Sequence, residues 1–336
     1  MKPTDFSVAV TRFLGSYLPG QRNVSTNTVK AYRDTFMLLL RYLRDERGLA
    51  PEKVTLADLK CDLIVGFLDY LKTGRHASPQ TVNQRLAAIR SFTRYVQVEH
   101  PELLLECQRI LAIPSQRWQK PAIDYMTTSA LAALLAQPDL RTVEGRRDAT
   151  LLTLLYDTAA RVEELVSLAV RDVRLEAPAQ VCLSGKGRKN RVVPLMAATA
   201  RLVAEYVDEH QLRRLERVAG PLFCNRRGER LSRSGVRYVI DKYSRIARSS
   251  CDVLPERVIP HTFRHSKAMH LLQAGNPLTT VQAILGHADL RTSQIYAQAD
   301  LTMKRQALEK AAVTPPAAGP PSWQKDKGLM DWLRSL

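Results

Sequence analysis

Across the first hundred positions apolar residues recur at three- and four-residue steps, a period that only packed helices can use. Ser25 has the side chain of a helix N-cap, and after it Val29, Tyr32, Phe36, Leu40 and Leu43 draw one buried stripe. Ser78 and Pro79 open a second helix by cap and first-turn chemistry, with Val82, Leu86, Ile89, Thr93 and Val96 along one side. A neighbouring side of that helix carries Asn83, Arg90 and Arg94, which suits either a solvated face or a helix laid against a nucleic-acid groove. Residues 1–110 are therefore expected to form an all-helical domain.

Pro114, Pro121 and the basic run Gln116 to Lys120 mark residues 111–122 as an interdomain linker, with the boundary near Lys120. A second domain is expected over 123–312, with helices near 127–137 and 143–168. The period then changes. Val181 to Leu183 and Arg191 to Leu195 read as short strands flanking Gly185-Lys186-Gly187-Arg188-Lys189-Asn190, a polar turn that signals a hairpin. The fold class is mainly α with a small antiparallel β-sheet. From Arg233 to Ser249 the helical wheel divides into Val236, Val239, Tyr243 and Ile246 on one side and Arg233, Arg237, Arg245 and Arg248 on the other, a candidate groove-binding helix reinforced by Arg226, Arg227 and Arg230. A last domain helix is expected from Leu301 to Ala312, then a Pro/Ala-rich linker and a short amphipathic tail within 313–336.

Net charge is +17, of which residues 1–120 contribute +7 and the remainder +10, so both domains are drawn to the same polyanion and nucleic acid is the first candidate. The five cysteines are scattered, with no C-x-x-C pair, which argues against a disulfide framework or a zinc ribbon. No apolar run reaches the ~18 residues of a membrane span, and the N-terminus lacks the order of a signal peptide. A cytoplasmic protein without a membrane partner is expected.

The chemistry-bearing residues are strung out in a fixed order. Arg161 closes an apolar helical run; Lys186 lies at the hairpin tip; then come His261-Thr262-Phe263-Arg264-His265, Leu285-Gly286-His287 and, nine residues on, Tyr296. In order and spacing this set resembles the signature of the tyrosine recombinase (phage integrase) family: an Arg, a hairpin Lys, His-x-x-Arg, Leu-Gly-His and a Tyr. The resemblance runs from about residue 25 to 310, and the N-terminal helices resemble the family's core-binding domain. Ala159-Ala160 departs from the Gly-Leu or Gly-Met that more often precedes the first Arg. The stretch from Ser293 to Lys310 looks most like recombinases of mobile elements, and chromosome dimer resolution, phage or plasmid integration and transposition all stay open as roles.

These residue types fit phosphodiester exchange. The pentacoordinate state carries extra charge on its non-bridging oxygens, and two guanidinium forks, Arg161 and Arg264, would clamp it. A phenol, Tyr296, is a nucleophile that can later leave under attack by a DNA hydroxyl. The resemblance implies His261 as base, Lys186 as general acid and His287 as a hydrogen-bond donor to the phosphate; Glu164 would orient Arg161. No cofactor or metal is expected: His261 and His265 have metalloprotease spacing, but Thr262 stands where that motif needs Glu. His265 reads as structural and Tyr156 as a core aromatic, while Lys189 competes with Lys186 for the hairpin role. The partner expected is double-stranded DNA with inverted-repeat half-sites. Leu329, Trp332, Leu333 and Leu336, with Trp323 nearby, form a tail that the resemblance implies docks on a neighbour to build a homotetramer. Relaxation of supercoils in the manner of a type IB topoisomerase, and catalytically silent DNA binding on the same fold, are the alternative functions.

Overall fold

The computed structural model describes residues 2–118, 123–185, 190–249, 254–286, 296 and 327–336. It divides into two compact units, Met1–Pro121 and Ala122–Leu336. The N-terminal unit contains α1 (Asp5–Arg12), which runs into a π-wound segment Phe13–Gln21, then α2 (Thr26–Arg47), α3 (Cys61–Thr73), α4 (Pro79–Glu99) and α5 (Leu104–Ala112). Ser25 and Ser78 cap α2 and α4, each side chain accepting a hydrogen bond from the backbone N–H three residues on. Phe92 of α4 sits at the centre of an aromatic cluster, with ring centroids 5.0 Å from Phe36, 5.3 Å from Phe13 and 6.0 Å from Phe6. Quadrupolar rings packed edge to face this way hold the helices at defined angles.

The second unit places α6 (Thr128–Leu135), α7 (Val143–Asp157) and α8 (Val162–Ser167) before a three-stranded sheet, and α9 (Ala197–Glu209), α10 (Arg233–Arg248), α11 (Pro260–Gln273) and α12 (Leu278–Leu285) after it. The strands β1 (Val173–Arg174), β2 (Gln180–Ser184) and β3 (Asn190–Pro194) pair antiparallel in chain order, with Val181 opposite Val193 and Leu183 opposite Arg191. Val181, Leu183 and Val193 point inward and are buried, as the two-residue period requires. A separate helix spans Lys327–Ser335. The expected helix at 301–312 and the linker at 313–321 lie outside the described residues.

The continuous helix read over 143–168 is two helices. Thr158 ends α7, Ala159 takes the left-handed conformation at φ 49°, and Arg161 becomes the extended N-cap of α8. Placing an L-residue there costs roughly 1–2 kcal/mol, and no periodicity argument detects such a one-residue break. The short β1 also has no counterpart in the sequence reading. On α10, Val236, Val239, Tyr243 and also Ile240 and Ala247 are buried, but Ile246 is 44% exposed and so does not belong to the core side.

Candidate active site

Helix α11 sets three of the chemical residues in one turn and a half. His261 stands at its start, where the side chain reaches solvent; Arg264, one turn on, is 3% exposed. The Arg264 guanidinium donates to the carbonyl of Ala159 and to the carbonyl of Leu285, each at 2.6 Å. One buried cation thus ties the α7–α8 break to the end of α12. Two of its five N–H donors are committed by these bonds. Burial, followed by the fields of Arg161 and Arg191, lowers its pKa to about 10, which leaves it charged at neutral pH.

Arg161 is exposed enough to meet a ligand, with 37% of its side chain open, and its Nη1 donates to Glu164 Oε1 at 2.7 Å. Glu164 Oε2 also accepts from the Arg161 backbone N–H at 2.8 Å, which caps α8. Burial pushes the Glu164 carboxyl up, but hydrogen bonds and charge from Arg191 and Arg161 outweigh it and hold the pKa at about 2. Glu164 is therefore a buried anchor that is ionised at neutral pH.

Tyr296 is 1% exposed and packs among Ala159, Ala268, Met269, Leu272, Val281 and Leu285. Its hydroxyl lies 2.9 Å from Nδ1 of His265, a residue the sequence reading treated as structural. Burial, then His261 and Arg264, depress His265 to about 4, so at pH 7 it is a neutral imidazole. Burial raises the Tyr296 phenol, while the charges of Arg264 and Arg161 pull it down and do not prevail. His261 is held below 6.5 by partial burial of its ring and by Arg264 and Arg161. Lys186 and His287 lie outside the described residues. Among the described residues no group of three or more His, Cys, Asp and Glu could hold a metal ion.

Other candidate residues are dispersed. On α4, the Asn83 amide donates to the Gln116 carbonyl at 2.9 Å and accepts from its N–H at 2.8 Å; Arg90 donates to Ser115 Oγ at 3.2 Å and to the Ile113 carbonyl. Those two side chains tether the segment after α5, and Arg94 is exposed. On α10, Arg233 pairs with Glu163 at 3.2 Å, Arg237 with Asp241 at 2.7 Å, Arg248 donates to the Pro255 and Glu256 carbonyls, and Arg245 is exposed. Tyr238 is 67% exposed on the same helix, an aromatic that the charge pattern did not single out.

Residues 124–303, more than half of the chain, match the model of the phage integrase family, and residues 10–100 match the phage integrase N-terminal SAM-like domain. The chain belongs to the phage integrase family. It is a tyrosine recombinase. The integrase/recombinase y4rC of Sinorhizobium fredii is 38% identical over 318 residues, 94% of each chain. The tyrosine recombinase XerC of Pelobacter propionicus is 31% identical over 295 residues, 88% of this chain and 92% of that one. In fold, the XerH site-specific recombinase solved on a palindromic difH substrate superposes with a TM-score of 0.69 at 23% identity, covering 87% of this chain and 81% of that one. The Tn1549 transposon integrase solved with transposon right-end DNA gives 0.67 at 16% identity, covering 90% and 99%.

A pH dependence is expected from the depressed His261. If His261 takes a proton during attack, the active form is neutral; lowering the pKa extends that form to lower pH, and activity falls as pH drops through the lowered value. The second-order rate of adduct formation at subsaturating DNA, which reports the free protein, is expected to show its acid limb below 6.5. A limb above that value contradicts the assignment.

Proposed function

We propose that this recombinase cleaves one DNA strand at a time by attack of the Tyr296 hydroxyl on the scissile phosphate. The O–P bond to tyrosine forms as the 5′ oxygen leaves, giving a 3′-phosphotyrosyl link and a free 5′-hydroxyl. A 5′-hydroxyl from the partner strand reverses the reaction, and two such rounds make and resolve a Holliday junction. The observation that carries this reading is the convergence on Tyr296: its hydroxyl is 2.9 Å from His265, and the fields of Arg264 and Arg161 act on it.

Arg161 and Arg264 hold the two non-bridging oxygens, and charge that grows there in the transition state is met by donors already in place. His261, neutral at pH 7, accepts the phenol proton; Lys186 protonates the leaving 5′ oxygen; His287 donates to the phosphate. Tyr296 is 1% exposed, so its hydroxyl has to move toward the scissile phosphate for attack. Duplex DNA is held by Asn83, Arg90 and Arg94 of α4 and by Arg233, Arg237, Arg245 and Arg248 of α10; Asn83 and Arg90 engage it by releasing the segment they now tether. Residues 1–110 serve as the core-binding domain, 111–122 as the linker and 123–312 as the catalytic domain. XerH is solved on a palindromic substrate, which supports inverted-repeat half-sites read by paired protomers. The tail joins protomers into a tetramer, and the protein works in the cytoplasm, where the DNA is.

The assignment of Lys186 is tested on a nicked suicide duplex bearing the sequence that the protein selects from a random-sequence pool. Lys186→Ala is expected to lose about 10²–10⁴-fold in adduct rate, the range for a general acid. A sulfur in place of the 5′-bridging oxygen should restore that rate, because a thiolate leaves without a proton, and should not restore Arg161→Ala. Equal rescue of both variants, or of neither, gives Lys186 another role.

A further inference from the structure

Strand β3 alternates between solvent and the interior, and at the inward position nearest the hairpin turn it carries a charge. Arg191 is opposite Leu183, and only 11% of its side chain is exposed. Its Nη1 and Nη2 donate to Glu164 Oε1 and Oε2 at 2.9 and 2.8 Å, and its Nε donates to the Ile284 carbonyl at 3.0 Å. The fork is bidentate, the strongest geometry for an arginine–carboxylate pair. The stem of the same side chain lies against Gly286, which ends α12 at φ 62°; a Cβ at that position would come 2.7 Å from Arg191 Cδ. Glycine is required there twice over, by its conformation and by the arginine beside it.

Three segments of the proposed site therefore meet on one guanidinium. They are strand β3, the α8 start that holds Arg161, and Gly286 at the end of α12. Charge is shared as well. Glu164 alone with Arg161 would leave that pair neutral, and a neutral pair attracts a phosphate poorly. With Arg191 on the same carboxylate, the trio carries a net positive charge.

We propose that Arg191 is a positioning residue for strand cleavage: by taking up the charge of Glu164 it keeps Arg161 available to the scissile phosphate, and it locks the hairpin strand to the Gly286 turn. The inference rests on the reading of Arg161 as a phosphate clamp. Arg191 touches no substrate in this scheme and acts through Glu164, Ile284 and Gly286.

The test measures adduct formation at saturating selected duplex, half-site binding, and thermal unfolding for the full-length wild type, Arg191→Gln, Arg191→Lys and the double variant Arg191→Gln/Glu164→Gln. Arg191→Gln is expected to lose about 100-fold in rate, comparable to removing one electrostatic stabiliser, with binding within about threefold. Removing the Glu164 charge as well should return roughly tenfold of that loss, because Arg161 is no longer neutralised. A residue that only supports folding would return thermal stability in the double variant without returning rate at temperatures where both variants are folded. Arg191→Lys keeps the charge but cannot form the fork, so about a tenfold loss at unchanged binding is expected; it carries the test if Arg191→Gln does not fold. Wild-type rates in either single variant, a loss confined to binding, or a double variant no faster than Arg191→Gln overturn the proposal. Failure of the wild-type protein to form any adduct would remove the strand-cleavage reading and this inference with it, whereas a wild-type adduct with unimpaired Arg191 variants removes the inference alone.

Discussion

Tyr296→Phe is expected to bind the selected duplex within about twofold of wild type and to form no covalent adduct, a loss of at least roughly 10⁴-fold, as removal of a nucleophile gives elsewhere. The ring keeps its place among Ala159, Ala268, Met269, Leu272, Val281 and Leu285, so the binding surface is not disturbed. What is lost is the hydroxyl 2.9 Å from His265. That leaves one ring nitrogen of a largely buried imidazole without this partner, at a stability cost of about 1–3 kcal/mol, which a modest drop in Tm would register. Tyr156 is not expected to substitute. Tyr156 has its hydroxyl on His270 Nδ1 at 2.8 Å, and burial followed by the Asp157 charge pushes its pKa up to about 12. Adduct formation by the Phe variant would assign the nucleophile elsewhere.

Truncation after Ala312 is expected to leave half-site binding and single-strand cleavage within a few-fold of wild type and to abolish synapsis and strand exchange. The tail helix Lys327–Ser335 has only nine residues, too few for a helix to stand alone in water. Its apolar positions are nonetheless open, Trp332 being 57% exposed and Leu333 48%, as is Leu336 just past its end at 85%. Covering such side chains on a neighbouring protomer would contribute roughly 1.5–3 kcal/mol for each one fully buried. Native gel mobility and recombinant product yield separate the steps. Recombination by the truncated protein at wild-type rate would show that protomers assemble without the tail.

Much of the architecture was readable because it rests on local chemistry. Ser25 and Ser78 are caps in the structure as in the sequence, and the stripe from Val82 to Val96 is the buried side of α4. The hairpin strands differ by one residue at each end from those read at 181–183, and by one residue in phase from those read at 191–195. What escaped reading depends on distant contacts. Ala159 breaks a helix because Arg264, 105 residues away, holds its carbonyl, and nothing in the local pattern records that bond. His265 reads as structural in the sequence, although its helical spacing from His261 sets both on one side. Arg191 was passed over as a strand residue, although a charge at an inward position of a two-residue alternation demands a buried partner. On α4 the sequence located Asn83 and Arg90 on one face, but their bonds to Gln116, Ser115 and Ile113 come from a segment no periodicity connects to them.

Tyr296 itself is expected to become bonded to DNA phosphorus without a metal. That bond is tested most directly by trapping the wild-type protein on the nicked suicide duplex in EDTA, digesting it, and sequencing the nucleotide-bearing peptide by mass spectrometry. The expected result is a single modified peptide, with the mass of a 3′-linked nucleotide on Tyr296, formed at the same rate with and without the chelator. A nucleotide on any other residue, a linkage to the 5′ end of the break, or an adduct that forms only when magnesium or zinc is restored would contradict it.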